Sequence, residues 1–114
     1  MTGPVSKAFV LFGATGDLAK RMIWPSLYHM DRDGLLPQGC RLLGVAREKT
    51  DSEGFRRVVR GAVEAFVSQE HQDGAALERF LGRVQFVRVD ASKAEDFSAL
   101  ADALGDQAER ALYY

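Results

Sequence analysis

A run of apolar residues that stops abruptly at a glycine constrains this chain more than any other feature. AFVLF, Ala8 to Phe12, is continuously hydrophobic with aromatic and β-branched members, and Gly13 ends it. Such a run suits a strand buried on both faces of a parallel sheet. From Asp17 the period changes from two to 3.6: Leu18, Met22, Trp24 or Pro25, Leu27 and Tyr28 fall at helical spacing, with Lys20, Arg21 and His29 between them. Pro25 removes one helical hydrogen bond and is expected to kink this helix. The connection, GATG, carries two glycines, which tolerate positive φ in a tight turn and let a ligand approach the backbone closely. Unpaired N–H groups at the helix start, together with the helix dipole, favour an anion there. The turn is a candidate pyrophosphate cradle. A plain strand-to-helix connection is the competing reading, because Gly13, Gly16 and Ala19 fit G-x-x-G-x-x-A and not the common G-x-G-x-x-G/A. Placement between a buried strand and a helix favours the cradle.

The rest of the chain alternates. DRDGLLPQG, with Gly34, Pro37 and Gly39, reads as a loop, and Leu42 to Ala46 as a second strand. Asp51 or Ser52 can cap a helix that places Phe55, Val58, Val59, Ala62, Val63 and Phe66 on one face. SQEHQDGAA breaks it, and Ala76 to Leu81 reads as a further helical piece. VQFVRVD, over Val84 to Val89, is a third strand; Ala94 to Leu104 is a helix capped by Asp90 or Ser92; RALYY begins a fourth strand. Strands alternating with helices imply right-handed crossovers and a Rossmann-like, doubly wound parallel sheet of about four strands in the order 3-2-1-4. Its ligand site lies above the carboxyl ends of the strands, where the order reverses beside strand 1. The GATG turn falls at that point.

The end of the second strand bears on which dinucleotide is bound. An acidic residue there holds a ribose 2′-hydroxyl, whereas arginine pairs with a 2′-phosphate. Arg47 occupies the position, and its planar, permanently charged fork suits phosphate, so NADP is the favoured coenzyme. Glu48 is the next residue, and if it faced the ribose the preference would weaken. Arg47 as a solvated strand-end charge is the alternative. Thr15 can add a hydroxyl contact to the same phosphate.

Composition narrows the classes. The 114 residues are one domain at most, and 46% hydrophobic content fills a single core. A net charge of −1 gives no electrostatic footprint for nucleic acid or an anionic membrane. Cys40 is the single cysteine, which excludes an internal disulfide and fits a reducing compartment. The opening MTGPVSKA has no signal-peptide core, and AFVLFGA is too short to span a bilayer. A cytoplasmic location is expected.

FGATGDLAKR, PSLYHM, GLLP, LLGVAR and the final YY together resemble the amino-terminal coenzyme domain of glucose-6-phosphate dehydrogenase, from Phe9 to Tyr114. Members of that family oxidise C1 of glucose 6-phosphate to 6-phosphogluconolactone and pass the hydride to NADP, entering the pentose phosphate pathway. The resemblance implies a coenzyme turn of Gly13, Ala14, Thr15, Gly16, Asp17, Leu18 and Lys20, a 2′-phosphate arginine at Arg47, and Asp90 and Ala91 near the adenine end. Asp17 also reads as a helix-start residue favoured by the dipole. Met22 departs from the family, which usually carries lysine there.

The family's catalytic histidine, base-orienting acid and sugar-phosphate lysines lie beyond the fourth strand. Residues 1–114 are therefore expected to be an incomplete NADP-binding domain, inactive alone, with the substrate domain and its glucose 6-phosphate site outside this chain. The complete enzyme is compatible with a homo-oligomer. No catalytic or metal-binding residue is assigned, since His29 and His71 lack triad partners and show no metal-ligand spacing with Cys40. Trp24, Tyr28, Phe55, Phe66, Phe80 and Phe97 read as core or domain-contact aromatics. Two other classes remain open from the residues alone. A short-chain reductase or epimerase needs a Tyr-x-x-x-Lys pair, for which Tyr28 and Arg32 are the nearest and imperfect match. A noncatalytic nucleotide-binding module needs the turn alone.

Overall fold

The computed structural model describes residues 8–36, 39–90, 93, 96–104 and 111–113. Four parallel strands, β1 (Ala8–Phe12), β2 (Arg41–Ala46), β3 (Val84–Arg88) and β4 (Ala111–Tyr113), lie in the order β3-β2-β1-β4. Period-two alternation divides the side chains of β1 and β2 between two cores. Leu11 and Leu42, with Val84 of β3, join Trp24, Tyr28, Phe55 and Phe80 on one face. Val10, Leu43 and Val45 meet Val89 and Leu100 on the other. The first core lies under α1 (Trp24–Arg32), α2 (Ser52–Phe66) and α3 (Gly74–Gly82), and the second under α4 (Asp96–Leu104).

Helix caps reflect local chemistry. Asp51 is the N-cap of α2, its carboxylate accepting from the backbone N–H of Gly54 at 2.7 Å. Asp73 caps α3 in the same way, accepting from Ala75 at 2.9 Å. The stretch that would cap α4 includes Ser92, outside the described residues. The described part of that region shows Asp96 accepting from the backbone N–H of Asp90 at 2.8 Å, which ties the exit of β3 to α4.

The helix after the glycine turn departs from a simple amphipathic reading. Leu18 and Met22, expected on its apolar face, are 59% and 60% exposed, while Ala19, Trp24, Leu27 and Tyr28 are buried. A π-turn covers Ala19–Ile23, just ahead of Pro25 in the first turn of α1, with the Trp24 N–H bonded to the Ala19 carbonyl five residues back. One extra residue in that turn slips the helical phase by about 100°. The stripe that runs through Trp24 therefore continues to Ala19 and not to Leu18. Phe66, expected as a core or domain-contact aromatic, is 50% exposed at the end of α2, with the Arg21 guanidinium 5.9 Å from its ring centroid. The side chain of Phe97 lies outside the described residues.

Candidate functional site

Register positions the site. Phe12 pairs with Val45, and Ala46 with Arg88, so the carboxyl ends of β1, β2 and β3 are level along one edge of the sheet. The chain segments leaving these three strands are thereby set side by side: the Gly13 turn, Arg47 with Glu48, and Val89 with Asp90. Together they line an open cleft of about 590 Å³.

Each glycine of the turn has its own reason. Gly13 sits at φ +68°, where a side chain is strained, and the space around its missing Cβ is empty. The Gly16 N–H donates to the Gly13 carbonyl at 2.9 Å, and a Cβ on Gly16 would stand 3.1 Å from that same oxygen. The backbone of Ala14 is pinned to β2 by its N–H, which donates to the Val45 carbonyl at 3.2 Å. Helical geometry begins at residue 17, so the first-turn amides after Gly16 have no intrahelical acceptor.

The residues singled out in the sequence divide into two sets. Gly13, Thr15, Gly16, Arg47 and Asp90 line the cleft. Ala14 does not, since its methyl is fully buried in the core. Asp17 pairs with Arg21 at 3.1 Å one helical turn on, and Leu18 is exposed outside the cleft lining. Lys20 is near enough to act electrostatically on Glu48. Ala91 is outside the described residues.

Glu48, along the sequence only a rival to Arg47, is part of the cleft wall. Its carboxyl is held below the usual carboxylate range, first by the nearby Thr15 hydroxyl, then by its own backbone N–H, with Arg47 and Lys20 adding to the effect and slight burial opposing it. Two further residues carried no sequence signal. Arg88 donates from Nε to the Arg47 carbonyl at 2.9 Å, bracing the strand end. Gly44 of β2 has no room for a side chain, because a Cβ there would fall on the Phe55 ring and 3.0 Å from the Ala14 Cβ.

Other concentrations of polar groups are already satisfied. A groove of about 560 Å³ between α2 and α3 is rich in arginine, yet Arg60 pairs with Glu78, Arg57 with Glu53, and Arg56 donates to the Val84 carbonyl. The rings of His29 and His71 meet at 5.8 Å away from the cleft, and His71 Nδ1 bonds the Ser68 hydroxyl. Tyr28 donates to the His71 carbonyl at 3.0 Å and accepts from the Asp73 N–H at 2.9 Å, while Arg32 donates to the same carbonyl at 2.8 Å. Tyr28 and Arg32 thus clamp a loop, and the buried Tyr28 is not presented to a substrate. Among the described residues no group of three or more metal-ligating side chains occurs.

Comparison with known proteins bears directly on this arrangement. The family model described as glucose-6-phosphate dehydrogenase, NAD binding domain, matches residues 10–114. The chain belongs to that family. The glucose-6-phosphate 1-dehydrogenase of Mycolicibacterium smegmatis is 43% identical over 96 residues, which are 84% of this chain and 19% of that protein. The Zymomonas mobilis glucose-6-phosphate 1-dehydrogenase is 39% identical over 105 residues, 92% of this chain and 21% of its own length. The chain thus spans about a fifth of the relatives it matches. The crystal structure of the Mycobacterium avium glucose-6-phosphate 1-dehydrogenase superposes with a TM-score of 0.85 at 31% identity, over 98% of this chain and 24% of that one. The glucose-6-phosphate dehydrogenase family assignment makes the reductase and epimerase reading unnecessary, in agreement with the structural roles of Tyr28 and Arg32. Within the glucose-6-phosphate dehydrogenase domain, Met22 lies exposed on the outer surface of the π-turn and supplies no charge.

Proposed function

We propose that this chain is the NADP-binding domain of a glucose-6-phosphate dehydrogenase, which oxidises glucose 6-phosphate with NADP. One observation carries the reading: Gly13, Thr15, Gly16 and Arg47 line a single cleft at the carboxyl ends of β1 and β2. The residues suit a phosphorylated dinucleotide. The glycine turn leaves its backbone approachable, the amides of Asp17 and Leu18 at the helix start suit a pyrophosphate, and Arg47 suits a 2′-phosphate. Lys20 adds positive charge beside them. Asp90 and Ala91 belong to the adenine side of the same reading. Ala14 contributes backbone alone, and Asp17 serves the helix start through Arg21.

The sheet is read as the first part of a doubly wound Rossmann-like fold, order 3-2-1-4, with the site at the switch point beside β1. Residues 1–114 are read as an incomplete coenzyme domain, and a substrate domain elsewhere in the enzyme supplies the sugar-phosphate site and the base. Bound NADP supplies hydride acceptance; this chain's residues bind and orient it. His29 and His71 stand outside the cleft, so no proton transfer is assigned to them. A cytoplasmic location goes with this reading, and no helix among the described residues is long and apolar enough to cross a membrane.

Calorimetric titration tests the coenzyme reading. Arg47→Ala is expected to weaken NADP binding by about 1.5 to 3 kcal/mol, the scale of a charged hydrogen bond, and to leave NAD nearly unchanged. Equal losses for the two coenzymes would assign Arg47 to the fold and overturn the 2′-phosphate role.

A further inference from the structure

The cleft corner that holds Arg47 also holds a carboxylate. Glu48 lines the same wall as Thr15 and Arg47, and the Thr15 hydroxyl is near enough to favour its charged form. A hydroxyl has one proton to give. Given to Glu48, it is not given to a phosphate. Glu48 is exposed, so it keeps its charge at neutral pH with Arg47 and Lys20 nearby. A ribose 2′-hydroxyl in this corner finds a carboxylate acceptor, the group that dinucleotide sites use for the unphosphorylated coenzyme. A 2′-phosphate in the same corner finds Arg47 as partner and Glu48 as a like charge.

We propose that Glu48 is a specificity-determining residue, which lowers the affinity of the cleft for NADP and raises it for NAD, so that both coenzymes are accepted. The inference rests on the coenzyme reading given above. It makes the two residues after β2 an opposed pair: Arg47 selects phosphate, and Glu48 tempers the selection. The tempering acts through an exposed charge and is therefore sensitive to salt.

Glu48→Gln tests it, because the amide keeps an oxygen for the Thr15 hydroxyl and removes only the charge. NADP and NAD are titrated separately into the chain and the variant, at low and at high salt. NADP is expected to bind about 2- to 5-fold more tightly to the variant at low salt, the scale of one exposed charge pair. That gain should shrink at high salt. NAD is expected to bind about 5- to 10-fold more weakly, as a charged acceptor becomes a neutral one. An unchanged ratio of NADP to NAD affinity, or a parent chain that binds NADP and not NAD, would overturn the role of Glu48 and leave the coenzyme reading standing. Failure of the parent chain to bind either coenzyme would overturn both.

Discussion

The indole N–H of Trp24 donates to the carbonyl oxygen of Ala14 at 3.0 Å, inside the core and ten residues back along the chain. Ala14 and Thr15 share a trans peptide unit, in which C=O and N–H point in opposite directions. Holding that carbonyl inward therefore turns the Thr15 N–H outward, to the side of the cleft. Trp24 is itself held edge-on by Phe55 at 5.4 Å and by Phe80 at 6.5 Å. The shape of the glycine turn thus depends on an aromatic core contributed by α1, α2 and α3.

Trp24→Phe keeps an aromatic in the core and removes the donor. The buried Ala14 carbonyl loses a partner, and destabilisation of about 1 to 3 kcal/mol is expected, seen as a lower urea midpoint with an unchanged slope. Dinucleotide binding should weaken as well, since the 14–15 peptide is freed. A change no larger than that of an ordinary surface substitution, about 0.5 kcal/mol, would mean that the bond does not hold the turn.

Three glycine-to-alanine changes should differ in sign and cause. Gly44→Ala drives a methyl into the Phe55 ring, which is packed between Trp24 and Phe86, and should cost about 1 to 3 kcal/mol by overpacking. Gly13→Ala meets no atom but must adopt φ near +68°, and should cost about 1 to 2 kcal/mol through backbone strain. Gly61→Ala, exposed within α2 with open space around it, should stabilise by about 0.5 to 1 kcal/mol. Chemical denaturation of the three variants gives the order directly, and a stabilised Gly44→Ala would contradict the described packing.

The strand, the turn and Arg47 were legible because each depends on local chemistry: an apolar run for a strand buried on both faces, glycines at its end, a cation at the next strand's end. Leu18 and Met22 fall off the buried face because a π-turn shifts helical phase ahead of Trp24, whose indole is anchored to Ala14. Neither is visible in periodicity. Ala14 reads as a coenzyme residue in a motif, and the three-dimensional turn buries its methyl in the core that also holds Phe55. Thr15 and Glu48, 33 residues apart along the chain, line one cleft across two strand ends, and only the parallel register brings them together. Arg88 reaches Arg47 through the same register, so it too is invisible along the chain.

Cys40 should behave as a reporter of unfolding. Burial pushes its thiol above the ordinary value, with Asp31 adding to the rise and Arg83 opposing it. Arg83 itself donates to Asp31 at 2.9 Å and to the Cys40 carbonyl at 2.9 Å. A raised thiol pKa in the folded state means that the native chain binds more protons than the unfolded one at alkaline pH. Its contribution to stability is full below the unfolded-state pKa and is lost as pH rises through the folded value. Denaturation midpoints should therefore fall at alkaline pH, and Cys40→Ser or Cys40→Ala should flatten that part of the profile. Thiol alkylation of the native chain should be slow and track unfolding; rapid modification without denaturant would contradict the burial.

The central claim is that the cleft beside the Gly13 turn, and not the arginine-rich groove between α2 and α3, takes the dinucleotide. Amide chemical shifts of the ¹⁵N-labelled chain titrated with NADP test it most directly. The account predicts the largest shifts at Gly13, Thr15, Gly16, Asp17 and Leu18, with Arg47, Glu48 and Asp90 moving on the same binding curve. Shifts confined to Arg57, Arg60 and Glu78, or no shift at any residue of the turn, would contradict it.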